Sequence, residues 1–432
     1  MAIPVVVKIL VIFFFIVFAT SRNIHLGLAA LVGGVLLVLW CGTPFSVVWQ
    51  SFIMEILSLD LWLLVALLAT IMTFSAAMKK SGGMEAFSSS VVALLPSKRL
   101  ALAIAPMLIG TLPMPGGAML SAPLVGAMNN DGARSPETLA AANYWFRHTL
   151  ELTWPLYPAF ILTVSITGIR SSQLMLLNLY AIPTLFLLGL LFILRNETSK
   201  AEIAQKSKKT REWSFASLTG LLPLGIVLAV YGLVSSFSDM LFSSIGMPDA
   251  VLAILNRYLP IFIGLAAGSI YLLLKYRRKR IFAGSLTAST VRLIGVIIGI
   301  RIFSALLSSA GLAKDAASEL ASVGIPSILV IAMLPFIAGL VTGVGFGYVG
   351  LSFPIIIGLI PNVAGLPYLA GIAMAGGFGF AGMMLSPLHV CMVVTAEHFH
   401  IDLPATIKKF AAPLSVFVFV LLLYVWLLTI LL

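Results

Sequence analysis

Three ionisable residues lie close together in an otherwise apolar stretch of the first half of the chain. They are Arg147, His148 and Glu151. Ionisable side chains in such a stretch are costly and are functional candidates by default. Arg147 and Glu151 are four residues apart and could neutralise each other on one helix face. Alternatively, Arg147 binds an anion and Glu151 or His148 carries a proton.

Two more ionisable residues stand in apolar stretches of the second half. Arg301 corresponds to Met72 in the internal repeat described below, so its role would belong to one half only. It would either anchor part of the fold or act as the counter-charge of a bound anion. His389 follows Ser386 and Pro387, and it would either hydrogen-bond a ligand or pack structurally.

These residues do not form an enzyme motif. Ser121 or Ser352 could be paired with His148 or His389, but no nucleophile motif surrounds either serine. The pattern His-Glu-x-x-His of zinc proteases is also not matched. The sequence therefore predicts neither an enzyme, nor a cofactor, nor a metal centre.

The composition is that of a membrane protein. Hydrophobic residues make up 60% of the 432 positions and charged residues only 9%, and the mean hydropathy is +1.11. Many segments approach the roughly 20 apolar residues that cross a bilayer. The net charge of +11 comes from basic loops that orient the protein, so it does not indicate a nucleic-acid partner. Cys41 and Cys391 have no metal-binding spacing, which favours buried packing.

The middle and the end of the chain carry the same residue pattern. Residues 74–163 and 303–395 share a series of Gly, Pro, Ser and Thr positions. Phe74 and Phe303 differ by 229 positions, and Thr163 and Thr395 differ by 232. An internal repeat of this kind is typical of transporters, in which two related halves move around a central site.

The charged loops predict the orientation of the two halves. The basic loops 195–211 and 275–280 should be cytoplasmic, and the acidic residues Asp239 and Asp249 should lie outside. The spans 59–78 and 286–312 then run in opposite directions. We therefore expect two inverted repeats in the inner membrane, with both termini outside the cytoplasm.

Each half should consist of three spans, a broken apolar segment, an interrupted span and a final span. The predicted fold is thus an all-α polytopic membrane protein with about ten transmembrane helices and two re-entrant hairpins. The first repeat covers 1–195, with its hairpin at 100–128 and its broken helix at 137–169. The basic linker covers 196–213. The second repeat covers 214–432, with its hairpin at 325–361 and its broken helix at 366–400.

The tips of the two hairpins are rich in Gly and Pro. Non-helical backbone at membrane depth is tolerated only beside protein or a water-filled cavity. Half-helix ends there can bind anions and coordinate cations, although kinks between packed helices are an alternative. The candidate binding residues at the tips are Pro115, Gly116, Gly117, Ser121, Thr342, Gly343, Gly345, Gly347 and Ser352.

The interrupted spans contain prolines next to hydroxyl side chains. Proline frees a carbonyl in the preceding turn, and Thr153 and Ser386 add hydroxyls. Such oxygens suit Na⁺, which makes a sodium site near these two residues an expectation. A proline kink capped by a neighbouring helix is the alternative. The candidate residues here are Thr153, Trp154, Tyr157, Ser386 and His389.

Four stretches of the chain resemble the ion transporter superfamily. In the first half they are Pro113–Ser121 and Thr153–Pro158, and in the second half Thr342–Ser352 and Ser386–His389. That group includes gluconate, C4-dicarboxylate, citrate and dicarboxylate/sodium symporters. More closely, the chain resembles an uncharacterised prokaryotic integral membrane family grouped with them. The resemblance implies a homodimer with a fixed scaffold and a mobile transport domain in an elevator motion. Dicarboxylate/sodium members carry Ser-Asn-Thr at their hairpin tips, whereas this chain has Pro-Gly-Gly and Gly-Phe-Gly.

We therefore expect a secondary active transporter that moves a small organic anion, such as a carboxylate, coupled to Na⁺ or H⁺. The expected partners are this small anion, membrane lipid and a second copy of the chain. A passive channel, or a translocase of lipid or another solute with the same fold, is the alternative.

Overall fold

The computed structural model describes residues 3–22, 24–83, 86–87, 90, 97–111, 118–129, 134–195, 220–243, 248–276, 279–284 and 287–432. Within these ranges the chain is helical and contains no strand, which confirms the predicted all-α class. The predicted linker 196–213 lies outside the described residues.

The α-helices in the first half are α1 (Val5–Ser21), α2 (Leu26–Trp40), α3 (Phe45–Ile56), α4 (Leu59–Lys80), α5 (Lys98–Gly110), α6 (Ala118–Ala127), α7 (Pro136–Arg147), α8 (Pro158–Thr167), α9 (Ser171–Leu177) and α10 (Ala181–Leu188). In the second half they are α11 (Leu222–Ser243), α12 (Asp249–Tyr276), α13 (Ala288–Ser309), α14 (Leu312–Ser322), α15 (Ser327–Thr342), α16 (Gly345–Leu359), α17 (Tyr368–Met384), α18 (Val390–Phe399) and α19 (Leu403–Leu431).

Five of the described helices are long and apolar enough to cross a bilayer. They lie at Leu59–Lys80, Asp249–Tyr276, Ala288–Ser309, Gly345–Asn362 and Thr406–Leu431. The pair α8 and α9 would add a sixth span, bent by 111° at its break. Large apolar side chains such as Phe14 and Trp426 are exposed on the outer helices, as expected of surfaces that face lipid. The protein is therefore a multi-pass membrane protein, and the exact number of spans stays a prediction.

The first four helices of the first half and the first three of the second half pack together as a peripheral group, α1–α4 with α11–α13. Its closest crossing joins α2 to α13, where a Cβ added at Gly299 would collide with the backbone of Gly27. Small residues at such a crossing let transmembrane helices approach backbone to backbone.

Eight of the other helices form a central group, α5–α8 with α15–α18. Every residue of α7 from Leu139 to Arg147 is buried, and α17 is buried along most of its length. Contacts of α16 with α13 and of α8 with α4 join the central group to the peripheral group.

All four interrupted segments belong to the central group. Helix α5 ends before residues 112–117, which lie outside the described residues, and α6 follows. Helices α15 and α16 pack against each other and are separated only by Gly343 and Val344. The chain is non-helical between α7 and α8, and again between α17 and α18. Among the described residues, the central group thus contains one break from the first half and two from the second.

Candidate functional site

The break in the first half begins earlier than its prolines. Helix α7 ends at Arg147, and the chain continues in tight turns in which His148 N donates to Trp145 O over 3.1 Å and Glu151 N donates to His148 O over 3.1 Å. Because the helix stops there, Glu151 does not stand one turn beyond Arg147 on a common face. Among the described residues, the ion pair of Glu151 is with His148, at 3.9 Å between Oε2 and Nε2. Of the two alternatives for Arg147 and Glu151, the pair on one helix face is therefore not formed among the described residues.

Arg147 and Glu151 are buried with part of their polar surface unused. Arg147 is 5% exposed and Glu151 is 7% exposed. In the part of the chain that the structure describes, Nη1 of Arg147 and Oε2 of Glu151 have no hydrogen-bond partner. Buried charged groups without partners are costly. A site that holds such groups of both signs is suited to a ligand that completes them.

The tip of the second hairpin lies against this break. A Cβ added at Gly345 would stand 2.7 Å from Oε1 of Glu151 and 2.8 Å from Cβ of Ala159. Gly345 is the first residue of α16, so the positive end of that helix approaches the Glu151 carboxylate. Only glycine allows this approach, which explains the residue type at this position.

The same tip also contacts the break in the second half. Gly343 adopts a left-handed conformation with φ of 63°. A Cβ there would be 2.8 Å from the backbone N of His389 and 2.9 Å from Oγ of Ser386. The structure thus brings Gly343, Gly345, Glu151, Ser386 and His389 together, although they come from both halves of the chain. All five are candidates from the sequence.

Two other sequence candidates hold the first hairpin in place. The Trp154 indole Nε1 donates to Thr111 O over 2.8 Å. The Tyr157 hydroxyl lies 2.6 Å from Gly110 O and 3.2 Å from Arg147 O. Both side chains therefore fasten the end of α5 to the first break. The tip candidates Pro115, Gly116 and Gly117 lie outside the described residues.

The candidate hydroxyl residues make local hydrogen bonds. Thr153 Oγ1 donates to Leu150 O over 3.1 Å, and Ser386 Oγ accepts from Leu388 N over 3.2 Å. These bonds leave oxygen lone pairs that can still coordinate a cation, so the sodium site stays a prediction. The hydroxyls on the hairpin helices, those of Ser121, Thr342 and Ser352, donate to backbone carbonyls of the same helix or arm, and Gly347 lies against the Thr342 side chain.

A small cavity opens beside Glu151. Its volume is about 20 Å³, and its polar lining includes Glu151, Thr163, Asn178 and Tyr348. A space of this size holds about one water molecule or a similar small species. Asn178 Nδ2 donates to Leu152 O over 3.0 Å, while its Oδ1 has no partner among the described residues. Asn178 escaped the sequence interpretation, although an amide in an apolar run was the available signal.

A cluster of rings lies on the other side of Glu151. His148 Nδ1 is 2.7 Å from Tyr144 O, and the rings of His148 and His389 meet edge to face at 4.7 Å between centroids. The Tyr144 hydroxyl reaches Met384 O, a carbonyl just before the second break, at 3.3 Å. Cys391 joins this cluster, whereas the sequence interpretation assigned it only to packing.

Arg301 lies apart from this cluster in a network of opposite charges. Its Nε donates to Glu55 Oε1 over 2.8 Å, and its Nη2 is 3.0 Å from Asp60 Oδ2. Its Nη1 also donates to Ser165 Oγ over 2.8 Å. Arg257 completes the network at 2.8 Å from Asp60 Oδ1. These contacts favour the anchoring role over the counter-charge role, because Arg301 ties α13 to α3, α4 and α8.

Comparison with known proteins shows a likeness in fold and a match to one family. No curated protein matches the chain. Among solved structures, the chain is similar to the crystal structure of the YdaH transporter of Alcanivorax borkumensis, which was described as having an unusual topology. The TM-score is 0.58 at 14% sequence identity, over 84% of this chain and 84% of that one. This likeness shows a shared fold.

The sequence itself matches one family over nearly its whole length. Residues 5–430 match the family described as "Protein of unknown function (DUF401)". Because the match includes both groups of helices and all four interruptions, it covers the candidate site as well as the surrounding helices. The chain therefore belongs to the DUF401 family.

Proposed function

We propose that the protein is a secondary active transporter that moves a small organic anion, such as a carboxylate, together with Na⁺ or H⁺. The observation that carries the proposal is the pair of buried, incompletely bonded charges, Arg147 and Glu151, where the second hairpin tip meets the first break. The fold shared with a transporter supports the same conclusion. We also propose that the chain belongs with the ion transporter superfamily.

Arg147 is the group that we assign to the anion. Its guanidinium is buried, and its Nη1 has a free donor capacity among the described residues. A guanidinium presents donors in a planar fork that matches a carboxylate, and it stays charged at any physiological pH. A carboxylate bound here would satisfy Nη1 and neutralise the arginine.

Glu151 is the group that we assign to the coupling ion. Adding an anion at Arg147 while Glu151 is ionised would leave the site with a net negative charge in a medium of low dielectric, which is unfavourable. A proton on Glu151, or Na⁺ in the adjoining cavity with Asn178 Oδ1, would restore neutrality. The requirement for neutrality would couple the two solutes.

Movement would occur between the two groups of helices. In this proposal the central group, which holds the breaks, slides as an elevator against the peripheral group, and the protein works as a homodimer in the inner membrane. The boundary between the groups includes the contacts of α16 with α13 and of α8 with α4. The hydrogen bonds of Arg301 to Ser165 also cross it, so they would have to change during the motion.

Uptake into proteoliposomes tests this function. Radiolabelled mono-, di- and tricarboxylates and sugar acids would be offered to the purified protein under an inward Na⁺ gradient, an inward H⁺ gradient and no gradient. We expect at least one anion to accumulate only with a gradient. If the anion only equilibrates across the membrane, at a rate that does not depend on either gradient, the protein is a passive channel.

The orientation needs its own measurement. Single cysteines introduced by Lys206→Cys, Asp239→Cys and Lys279→Cys, in a chain with Cys41 and Cys391 replaced, would be labelled on intact cells. The proposal expects labelling at position 239 and none at 206 or 279. Labelling of all three from one side would contradict the inverted repeat.

A further inference from the structure

We propose that His148, His389 and Cys391 form a binding site for a transition-metal ion of the Zn²⁺ class, next to the residues that we assign to the anion and the coupling ion. The ligand atoms of the three side chains all lie within 4.8 Å of one another. His148 belongs to the first break, His389 caps α18 after the second break, and Cys391 stands in the first turn of α18. Residues far apart in sequence thus converge at one point.

The donor types select the class of metal. Two imidazoles and a thiolate suit Zn²⁺ and its softer analogues, whereas Na⁺, Mg²⁺ and Ca²⁺ prefer oxygen ligands. These donors therefore differ in chemistry from the oxygen atoms of Glu151 and Asn178 that we propose for Na⁺.

The spacing is close to what a metal requires. With Zn–N distances of about 2.0–2.1 Å and Zn–S of about 2.3 Å in a tetrahedron, donor atoms stand roughly 3.5 Å apart. The observed upper limit of 4.8 Å is a little larger. Small rotations of the three side chains would close the difference, and no helix would have to move.

The surroundings prepare the histidines for metal binding. His148 Nδ1 lies 2.7 Å from Tyr144 O, which fixes the proton on Nδ1 and leaves the lone pair on Nε2. His389 is 5% exposed, and its Nδ1 has no partner in the described part of the chain. A buried acceptor without a partner costs free energy, and a metal bond would recover it.

Glu151 lies beside the three proposed ligands. Oε2 of Glu151 lacks a hydrogen-bond partner among the described residues and lies 3.9 Å from Nε2 of His148. Three protein ligands with an open or exchangeable fourth position are typical of metal sites that bind a further ligand. A bound ion would link the first break to the second and would compete with proton or Na⁺ binding at Glu151.

The test is direct metal titration of the purified protein after removal of any histidine tag. Cd²⁺ added to the protein should produce thiolate-to-metal charge-transfer absorption that saturates at one equivalent, and Zn²⁺ should displace it. The matched control is Cys41→Ser, because Cys41 is the other cysteine of the chain, and it should leave the signal unchanged. Cys391→Ser should abolish it.

The histidines provide the independent arm. His148→Gln and His389→Gln should each weaken Zn²⁺ binding at least tenfold, whereas His398→Gln, which changes an exposed histidine, should not. If Cys391→Ser does not fold, the two histidine variants and the thermal shift of the wild-type protein by Zn²⁺ decide the matter. Two results would overturn the proposal. One is Cd²⁺ absorption that persists in Cys391→Ser, and the other is the same Zn²⁺ affinity in all three histidine variants. Either result would mean that the cluster is held by ring packing alone and binds no metal.

Discussion

Two groups of charged side chains lie within the apolar part of this protein, one half-buried around Arg301 and one buried around Arg147, and they are constructed in opposite ways. Around Arg301, two arginines and two carboxylates contact one another at 2.8–3.0 Å. Around Arg147, the guanidinium and the Glu151 carboxylate each keep an atom without a partner among the described residues. The first arrangement compensates its own burial, whereas the second is incomplete as it stands.

The difference teaches how to separate structural from functional charges in a membrane protein. Both groups satisfy the general rule that an intramembrane ionisable residue is a functional candidate. Only the bonding of the individual atoms distinguishes them. Complete pairing indicates a contact that holds helices together, and incomplete pairing indicates a place for a solute.

The largest effect should follow from Arg147→Gln. Removing the guanidinium deletes the group that we assign to the anion, and losing one partner of a buried charge pair costs roughly 2–5 kcal/mol. We expect uptake in proteoliposomes to fall about 100-fold or more. The thermal unfolding midpoint should change less than in Arg301→Gln, because Nη1 of Arg147 has no partner among the described residues, whereas Arg301 pairs with two carboxylates.

The double variant Arg147→Gln with Glu151→Gln sharpens this prediction. It removes both charges, so we expect anion uptake to stay absent and the unfolding midpoint to stay near that of the wild type. Uptake at the wild-type level in Arg147→Gln would show that helix ends alone hold the anion.

Arg301→Gln should act on stability instead. Glu55 would lose its arginine, and breaking one side of a buried ion pair costs about 3–5 kcal/mol. We expect a lower unfolding midpoint in detergent, with part of the loss restored by adding Glu55→Gln. If Arg301→Gln kept its stability but lost anion affinity, Arg301 would be a counter-charge of the substrate.

A smaller effect is expected from Gly345→Ala. The new Cβ would stand 2.7 Å from Oε1 of Glu151, and such overpacking costs about 1–3 kcal/mol. We expect roughly tenfold slower uptake with near-normal expression. The matched control is Gly232→Ala, since a Cβ there meets no atom within 4 Å. Equal uptake in both variants would show that the hairpin tip is only a kink between helices and has no role in uptake.

The smallest effect should come from Ser165→Ala. Arg301 would lose one neutral acceptor, the Ser165 hydroxyl, but would keep both carboxylates. A single such hydrogen bond contributes about 1 kcal/mol, so the unfolding midpoint should fall slightly and uptake should be unchanged. A loss as large as that of Arg301→Gln would mean that the contact with α8 dominates the network.

The sequence predicted the parts of this structure that depend on local patterns. Apolar composition indicated an all-α membrane protein, and Gly and Pro marked the interruption at Gly343–Gly345 and the one before His389. Isolated charges in apolar runs indicated Arg147 and Glu151. Each of these signals is contained within a few residues, so it can be recognised without knowledge of the fold.

The remaining features depend on contacts between distant residues. Glu55 is 246 positions from Arg301, and nothing in either local sequence indicates that they pair. Cys391 joins His148 only because the two breaks converge in space. The end of α7 at Arg147 also escaped prediction, because the turns that follow are stabilised by tertiary contacts, such as the hydroxyl of Tyr157 on the end of α5.

The most direct test of the contrast between the two charged groups is ligand-induced thermal stabilisation of Arg147→Gln and Arg301→Gln beside the wild type. A panel of carboxylates would be added in Na⁺ buffer and in Na⁺-free buffer. We predict that an anion which stabilises the wild type also stabilises Arg301→Gln, from a lower starting midpoint, and does not stabilise Arg147→Gln. Stabilisation of Arg147→Gln together with its loss in Arg301→Gln would contradict the assignment of the two groups.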